Sequence, residues 1–304
     1  MDFELTILGC NSAIPAHGRH PSAQLLRLRN QHYLIDCGEG TQMRMADHKV
    51  RKSRINQIFI SHLHGDHVFG LIGLLTSYSL AGRRQPIDLF GPEGRQELIE
   101  TTAKLSYCIF TYPIQYHLVD TNKQARIFED KLVEVFSLPL KHRIPTTGFL
   151  FREKERPLNL RPGIVDQLEI PFQEIPAIKA GSDWEAPNGR RYSNTDLTLP
   201  PTPLRSYAYC SDTMYIEDLR PLIQGVNLLY HEATFLHEKA ENAKLTMHST
   251  ALQAAQMAHK AQVGQLILGH YSSRYVTPAP LVKEAKTVFQ ETLPAQEGRV
   301  YPIV

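Results

Sequence analysis

The chain has 304 residues, 42% of them hydrophobic and 21% charged, with a formal net charge of +2. That length and balance allow one or two domains with a sizeable core, and they exclude a disordered, collagen-like or strongly polycationic protein. A charge so near zero neither demands nor forbids an anionic partner, because basic residues can still gather on one face. The four cysteines, Cys10, Cys37, Cys108 and Cys210, form no CxxC pair. They read as reduced packing residues of a cytoplasmic protein. The opening Met1-Asp-Phe-Glu-Leu-Thr-Ile lacks the basic start and apolar centre of a signal peptide. No apolar run nears the ~18 residues that span a membrane, so no membrane partner is expected.

Phe3, Leu5 and Ile7 alternate with Glu4 and Thr6, which predicts a half-buried strand ended by Gly9. Residues 23–28 and 32–35 flank Arg29-Asn30-Gln31 as two strands of a hairpin, and the glycine-rich turn at 36–41 opens a helix over 42–47. A strand over 55–60 and an apolar helix over 68–80 follow, then a short strand at 87–90. Gly91-Pro92-Glu93-Gly94 reads as the turn into a helix over 93–106, since the Lys-Ser/Thr of a phosphate loop is absent. Strand alternation resumes at 114–119 and 132–138. From 152 to 196 proline, glycine and charge displace periodicity, as in a long excursion from the core. Beyond Arg205, strands at 207–210, 227–230 and 265–268 alternate with helices at 250–260 and 281–291. Strands followed by interleaved helices, twice over, predict an α/β fold, a four-layer αββα sandwich over 1–304 with an insert at 152–196.

The densest chemistry is His62-Leu-His64-Gly65-Asp66-His67, directly after the strand at 55–60. In extended chain His62 and His64 point the same way and close on one ion, while Gly65 lets the backbone turn so that Asp66 and His67 aim at a second. His142, Asp212 and His270 each follow a predicted strand, where an open sheet edge gathers side chains into one cleft. The expected sets are His62, His64 and His142 for one ion, Asp66, His67 and His270 for the other, with Asp212 bridging. Imidazole and carboxylate ligands suit zinc, two per chain, and manganese also fits.

Seven segments in order along nearly the whole chain now carry a resemblance: Asp36-Cys-Gly-Glu-Gly-Thr-Gln, the histidine-rich loop, Pro139-Leu-Lys-His142, Ser211-Asp212-Thr, His231-Glu232-Ala-Thr, His248-Ser-Thr and His270-Tyr-Ser-Ser-Arg274. Together they resemble ribonuclease Z, the family of tRNA 3′-processing endonucleases within the metallo-β-lactamase superfamily. The resemblance implies a precursor tRNA substrate whose 3′ trailer is cut off, leaving a 3′-hydroxyl on the tRNA and a 5′-phosphate on the trailer. It also implies a metallo-β-lactamase fold, a homodimer, Asp66 as ligand and proton acceptor, and an insert that works as a flexible arm on the tRNA elbow. That arm matches imperfectly, since seven basic residues over 152–196 face eight acidic ones.

A ribose 3′-oxygen leaves poorly without a proton, and His248 is the expected donor. It precedes Thr250 and Gln253, a capping-box pattern that sets its ring at a helix N-terminus. The positive helix end lowers an imidazolium's pKa, so Glu232 is expected to hold the proton in place. Asp36 is expected to orient the metal loop, the loop at 11–20 to line the cleft, and Arg274, with Ser272 beside it, to grip a substrate phosphate. Three other readings compete. Another phosphodiesterase or arylsulfatase-like hydrolase of this fold predicts no large insert, a flavodiiron oxidoreductase would carry a carboxylate at the position of His64, and a non-catalytic relative would have lost ligands.

Overall fold

A computed structural model describes residues 3–201 and 203–304, so Met1 and Asp2 of the acidic opening lie outside the described residues. In chain order the first half contains β1 (Phe3–Gly9), β2 (Ala23–Leu28), β3 (Gln31–Ile35), α1 (Thr41–Asp47), β4 (Ile55–Phe59), α2 (Gly65–Val68), α3 (Leu71–Leu80), β5 (Ile87–Gly91), α4 (Arg95–Leu105) and β6 (Ile114–Leu118). Next come β7 (Arg126–Glu129), β8 (Val133–Pro139) and β9 (Thr147–Glu153), then the insert with α5 (Ile164–Gln167), α6 (Ile175–Lys179), β10 (Trp184–Glu185), β11 (Arg191–Tyr192) and α7 (Asn194–Leu197). The chain returns through β12 (Ser206–Cys210), β13 (Leu228–Glu232), α8 (Ala240–Thr246), α9 (Ala251–Lys260), β14 (Gln265–Gly269), α10 (Ala279–Ala285), β15 (Thr292–Pro294) and β16 (Val300–Pro302).

Two seven-stranded sheets result, ordered β16-β1-β2-β3-β4-β5-β6 and β15-β14-β13-β12-β9-β8-β7. The residue alternation read from the sequence decides what each face of the first sheet buries. Phe3, Leu5, Ile7, Leu26, Leu28, Tyr33, Ile35 and Phe59 face the second sheet, while Leu25, Leu34, Ile58 and Leu89 pack under Leu71, Leu74, Leu75 and Ile99 of α3 and α4. Aromatic rings join the sheets: Phe59 meets Phe149 at 5.4 Å and Phe151 at 5.3 Å, both edge-on, and such pairs add about 0.5–1.5 kcal/mol each beyond burial. The alanine-rich face of α9 (Ala251, Ala254, Ala255, Ala258) closes the second sheet on its outer side. This is the expected four-layer αββα sandwich.

The expected helix over 68–80 is broken. Gly70 lies so close to the 37–38 loop that a Cβ there would fall 2.1 Å from the Gly38 carbonyl oxygen, and its N–H bonds Cys37 O, which divides α2 from α3. The helix expected over 281–291 ends at Ala285, and β7, β9, β15 and β16 are additional strands, most of them too short for periodicity to reveal. Cys10, Cys37 and Cys210 are packed as expected, whereas Cys108 is half-exposed beside the hydroxyls of Ser106 and Thr76. No helix of the described residues is long and apolar enough to cross a membrane.

Glu153–Leu204 forms a compact unit of its own. Its end lies beyond the expected 196 because Leu199 N–H bonds Asn159 O and Thr198 bridges Leu160. The segment is not structureless: Ile170, Ile178, Trp184 and Leu197 make a small core, with Trp184 stacked on Tyr192 at 5.6 Å.

Candidate metal centre and cleft

The cleft opens where β4, β12 and β14 end, the carboxyl edge of parallel strands that in α/β sheets is the usual place for a site. Asp212 and His270, just past β12 and β14, have φ of 58° and 54°. Left-handed backbone at non-glycine residues costs about 1–2 kcal/mol each, and here it turns both side chains back over the strand ends.

Seven side chains converge there, and the two carboxylate oxygens of Asp212 separate them into two sets. Asp212 Oδ1 lies 3.7 Å from His62 Nε2 and 3.8 Å from His142 Nε2; His64 Nδ1 stands 3.0 Å from His62 Nε2 and 3.3 Å from His142 Nε2. Asp212 Oδ2 lies 3.0 Å from His67 Nε2 and 3.3 Å from His270 Nε2, with Asp66 Oδ2 3.5 and 3.4 Å from those same nitrogens. Ligand atoms at the corners of a zinc tetrahedron are separated by about 3.3 Å, so both sets have the spacing of donors around one divalent ion.

The outer nitrogens of His67, His142 and His270 are spoken for, which leaves their inner ones as lone-pair donors. His67 Nδ1 donates to Asp36 Oδ2 at 2.7 Å, and His142 Nδ1 to the Met247 carbonyl at 3.0 Å. Thr234 Oγ1 donates to Glu232 Oε2 and sits 3.0 Å from His270 Nδ1, so it accepts from that ring. Asp36, fully buried, also receives Ser61 N–H, Ser61 O–H and Tyr209 O–H. Such outer partners fix ring orientation and tautomer. Burial holds His62, His64 and His142 below the ordinary imidazole range, so all three are neutral and able to bind a cation. Burial opposes charge on Asp66 too, but His67 and His270 outweigh it and keep the carboxyl well below its usual range.

His248 stands next to this centre without joining it in the same way. Its Nδ1 is 2.8 Å from Glu232 Oε1, and the buried Glu232 also takes Thr213 N–H, Ser249 N–H and the Thr234 hydroxyl. A nitrogen of His248 does come within ligand range of Asp212 and His270. Its ion pair, however, is with Glu232, and burial notwithstanding, that carboxylate raises it to about 9. The lowering expected from the helix end is therefore outweighed, although the capping box on Thr250 and Gln253 is present.

The cleft holds about 550 Å³ and is lined by Ser12, Ala13, Asp66, His248, Ser272 and Arg274, among others. Arg274 Nη1 bonds Ser272 Oγ at 3.1 Å, and its guanidinium lies over Phe235 at 5.5 Å. Sequence reasoning missed Thr234, Ser61 and Tyr209 as supports, as well as the Ala13 N–H that donates to Asp66 Oδ2 at 2.8 Å. Thr234 alone carried a signal, two residues beyond Glu232.

A family model described as anti-Pycsar protein Apyc1 matches residues 3–105. That span includes the histidine-rich loop but ends before His142, Asp212, Glu232, His248 and His270. Ribonuclease Z of Porphyromonas gingivalis is 45% identical over 97% of this chain and 97% of its own. Human tRNase Z, short form, superposes with a TM-score of 0.71 at 27% identity, over 99% of both chains. The metallo-β-lactamase-fold protein YhfI from Bacillus subtilis gives 0.69 at 19% identity, also over 99% of both, a likeness of fold.

Proposed function

The chain belongs to the ribonuclease Z family of endoribonucleases, and from that premise we propose that it removes the 3′ trailer from precursor tRNA using two zinc ions, leaving a 3′-hydroxyl on the tRNA and a 5′-phosphate on the trailer. One observation carries the reading: His248 paired at 2.8 Å with the buried carboxylate of Glu232, beside a carboxylate whose two oxygens face two separate ligand sets. A hydrolase that expels a stable leaving group has no use for that acid, whereas a ribose 3′-oxygen needs one.

In this reading His62, His64 and His142 would hold one ion and Asp66, His67 and His270 the other, with Asp212 shared between the two sets; manganese could replace zinc in such a set. When bound, two such cations acidify water and neutralise a phosphodiester's charge. Asp66 aligns the attacking water and takes its proton; a carboxylate held so low is a weak base and passes the proton on instead of keeping it. His248 gives its Nε2 proton to the departing 3′-oxygen, and Glu232 steadies the ring throughout. Arg274, oriented by Ser272, takes a non-bridging phosphate oxygen.

The insert at Glu153–Leu204 is the substrate arm, and a second copy of the chain completes a homodimer in the cytoplasm. The test is to incubate the purified protein with a precursor tRNA bearing a 3′ trailer, with and without chelator. Chelator-sensitive release of the intact trailer supports the proposal. Failure to cut precursor tRNA while a small nitrophenyl phosphodiester is hydrolysed would instead identify a general phosphodiesterase.

A further inference from the structure

At the other end of the first sheet, where β4 begins, there is a second concentration of charge that the cleft chemistry does not use. No acidic residue occurs between Asp47 and Asp66, and Lys49, Arg51, Lys52 and Arg54 fall within six positions of that interval. Pairing of β3 with β4 sets His32 opposite Ile55, which brings the β2–β3 turn alongside. Arg54 Nη1 accordingly bonds Asn30 Oδ1 at 3.1 Å, next to the exposed Arg29. The crowding shows on buried His32, which burial and then the charges of Arg54, Arg27 and Arg51 hold down to about 4. Its Nδ1 is buried without a hydrogen-bond partner. On the next loop Arg83 Nη1 bonds the Ile55 carbonyl at 3.1 Å, carrying the exposed Arg84 to the same end. Glu4, paired with Arg27, is the acid met here.

Cations gathered this way repel one another, and a protein of net charge +2 has no general excess to distribute. We propose that this end of the sheet, centred on Arg29, Arg51 and Arg54, is a second contact surface for the phosphate backbone of a polynucleotide, separate from the cleft. The chemistry favours that class. Arginine predominates, and its planar fork matches phosphate oxygens. None of the exposed large hydrophobic side chains falls at 27–32 or 49–54, so the two segments that carry Arg29, Arg51 and Arg54 lack both the apolar anchors of a protein interface and the wedge of a membrane-lying segment. The five residues of β4 separate it from the histidine loop by roughly 17 Å, so RNA held at the cleft can reach it only with its body, beyond the scissile bond. The surface reads charge and position, not sequence.

The inference rests on the proposed function, and the experiment separates the two. Affinity of the chelator-treated protein for a precursor tRNA is measured across a salt series for wild type and for the triple variant Arg29→Glu, Arg51→Glu, Arg54→Glu. Binding at least ~10-fold weaker, with a slope of log affinity against log salt shallower by about 2–3, is expected from losing three phosphate contacts. If reversal costs folding, the triple glutamine variant takes its place. Equal affinity and equal slope in wild type and variant would overturn the surface while leaving the function standing. Wild type that binds no precursor at all would overturn the function first, and tighter binding to anionic-lipid vesicles than to RNA would assign the surface to another partner.

Discussion

His248 and Glu232 meet Nδ1 to Oε1 at 2.8 Å, with the carboxylate fully buried and bonded to two backbone N–H groups besides. The ring therefore cannot rotate to use Nδ1 elsewhere, and only Nε2 is left to face the cleft. In the proposed mechanism His248 acts on the leaving-group oxygen. His248→Ala should accordingly slow cleavage of a precursor tRNA by roughly 10²–10⁴-fold while costing a nitrophenyl phosphodiester far less, because nitrophenolate departs without a proton. Steady-state rates on the two substrates decide it. Equal losses would make His248 an organiser of the metal centre.

The same pair makes a statement about pH. His248 is raised to about 9 from an ordinary 6.5, so in the metal-free protein its contribution to stability is complete below about 6.5 and disappears as pH rises through about 9. Glu232 is shifted the other way, below the ordinary carboxyl value: burial opposes its charge but His248 outweighs it. Its share is present above about 4.5 and lost as pH falls through its lowered folded value. Melting curves of the chelated wild type and of Glu232→Gln should differ most between about pH 4.5 and 6.5 and converge above about pH 10. A difference independent of pH would mean that the pair is held by packing alone.

Much of this was legible because the relevant signals are local. His62, His64, Asp66 and His67 announce themselves by spacing, and the capping box beginning at Thr250 located His248 just before a helix N-terminus. The strand alternation of Phe3, Leu5 and Ile7 carried through to the sheet face they bury. What escaped was contact between distant segments. Nothing near Tyr209 in sequence says that its hydroxyl reaches Asp36, 173 positions away, or that Ala13 N–H caps Asp66. Strands of two to four residues are equally silent, since a period of two needs more turns than they have. The small core of Ile170, Ile178, Trp184 and Leu197 was hidden by the prolines and charges between its members.

Asp212 separates the two ligand sets by offering one oxygen to each, and among the described residues no other side chain faces both. Asp212→Ala should lose nearly all hydrolysis and should retain fewer than two ions per chain by elemental analysis of zinc-loaded protein. Wild-type metal content with wild-type turnover would dismantle the proposed centre.

Asp36 faces neither ligand set itself but holds one of its rings from behind, and four donors end on it: the Ser61 N–H and hydroxyl, His67 Nδ1–H and the Tyr209 hydroxyl. Removing it frees the His67 ring and leaves buried donors unpaired. Asp36→Ala is expected to weaken metal binding by about 10–100-fold, with part of the loss recovered at high zinc concentration. Competition against a colorimetric chelator measures this, and an unchanged affinity would reduce Asp36 to a role in folding.

The insert allows the sharpest separation of chemistry from recognition. Every side chain assigned to the metal centre lies before Glu153 or after Leu204, while the insert has its own core and closes on itself through Leu199 N–H to Asn159 O. Replacing residues 157–193 by a short Gly/Ser linker should therefore spare hydrolysis of a small nitrophenyl phosphodiester. If the insert grips precursor tRNA, the same replacement should weaken binding at least ~10-fold, or about 1.4 kcal/mol. Its charge makes the outcome informative. With seven basic and eight acidic residues over 152–196 the segment has no overall attraction for phosphate, so any affinity must come from basic residues grouped on one side, Arg190 and Arg191 on the exposed hairpin being the natural pair. Such a contact weakens with salt, and the deletion should flatten the salt dependence as it lowers the affinity. Unchanged tRNA affinity across the salt series would rule out the insert as an RNA-binding element and point to contacts between copies, whereas loss of both activities would show that the catalytic fold depends on it.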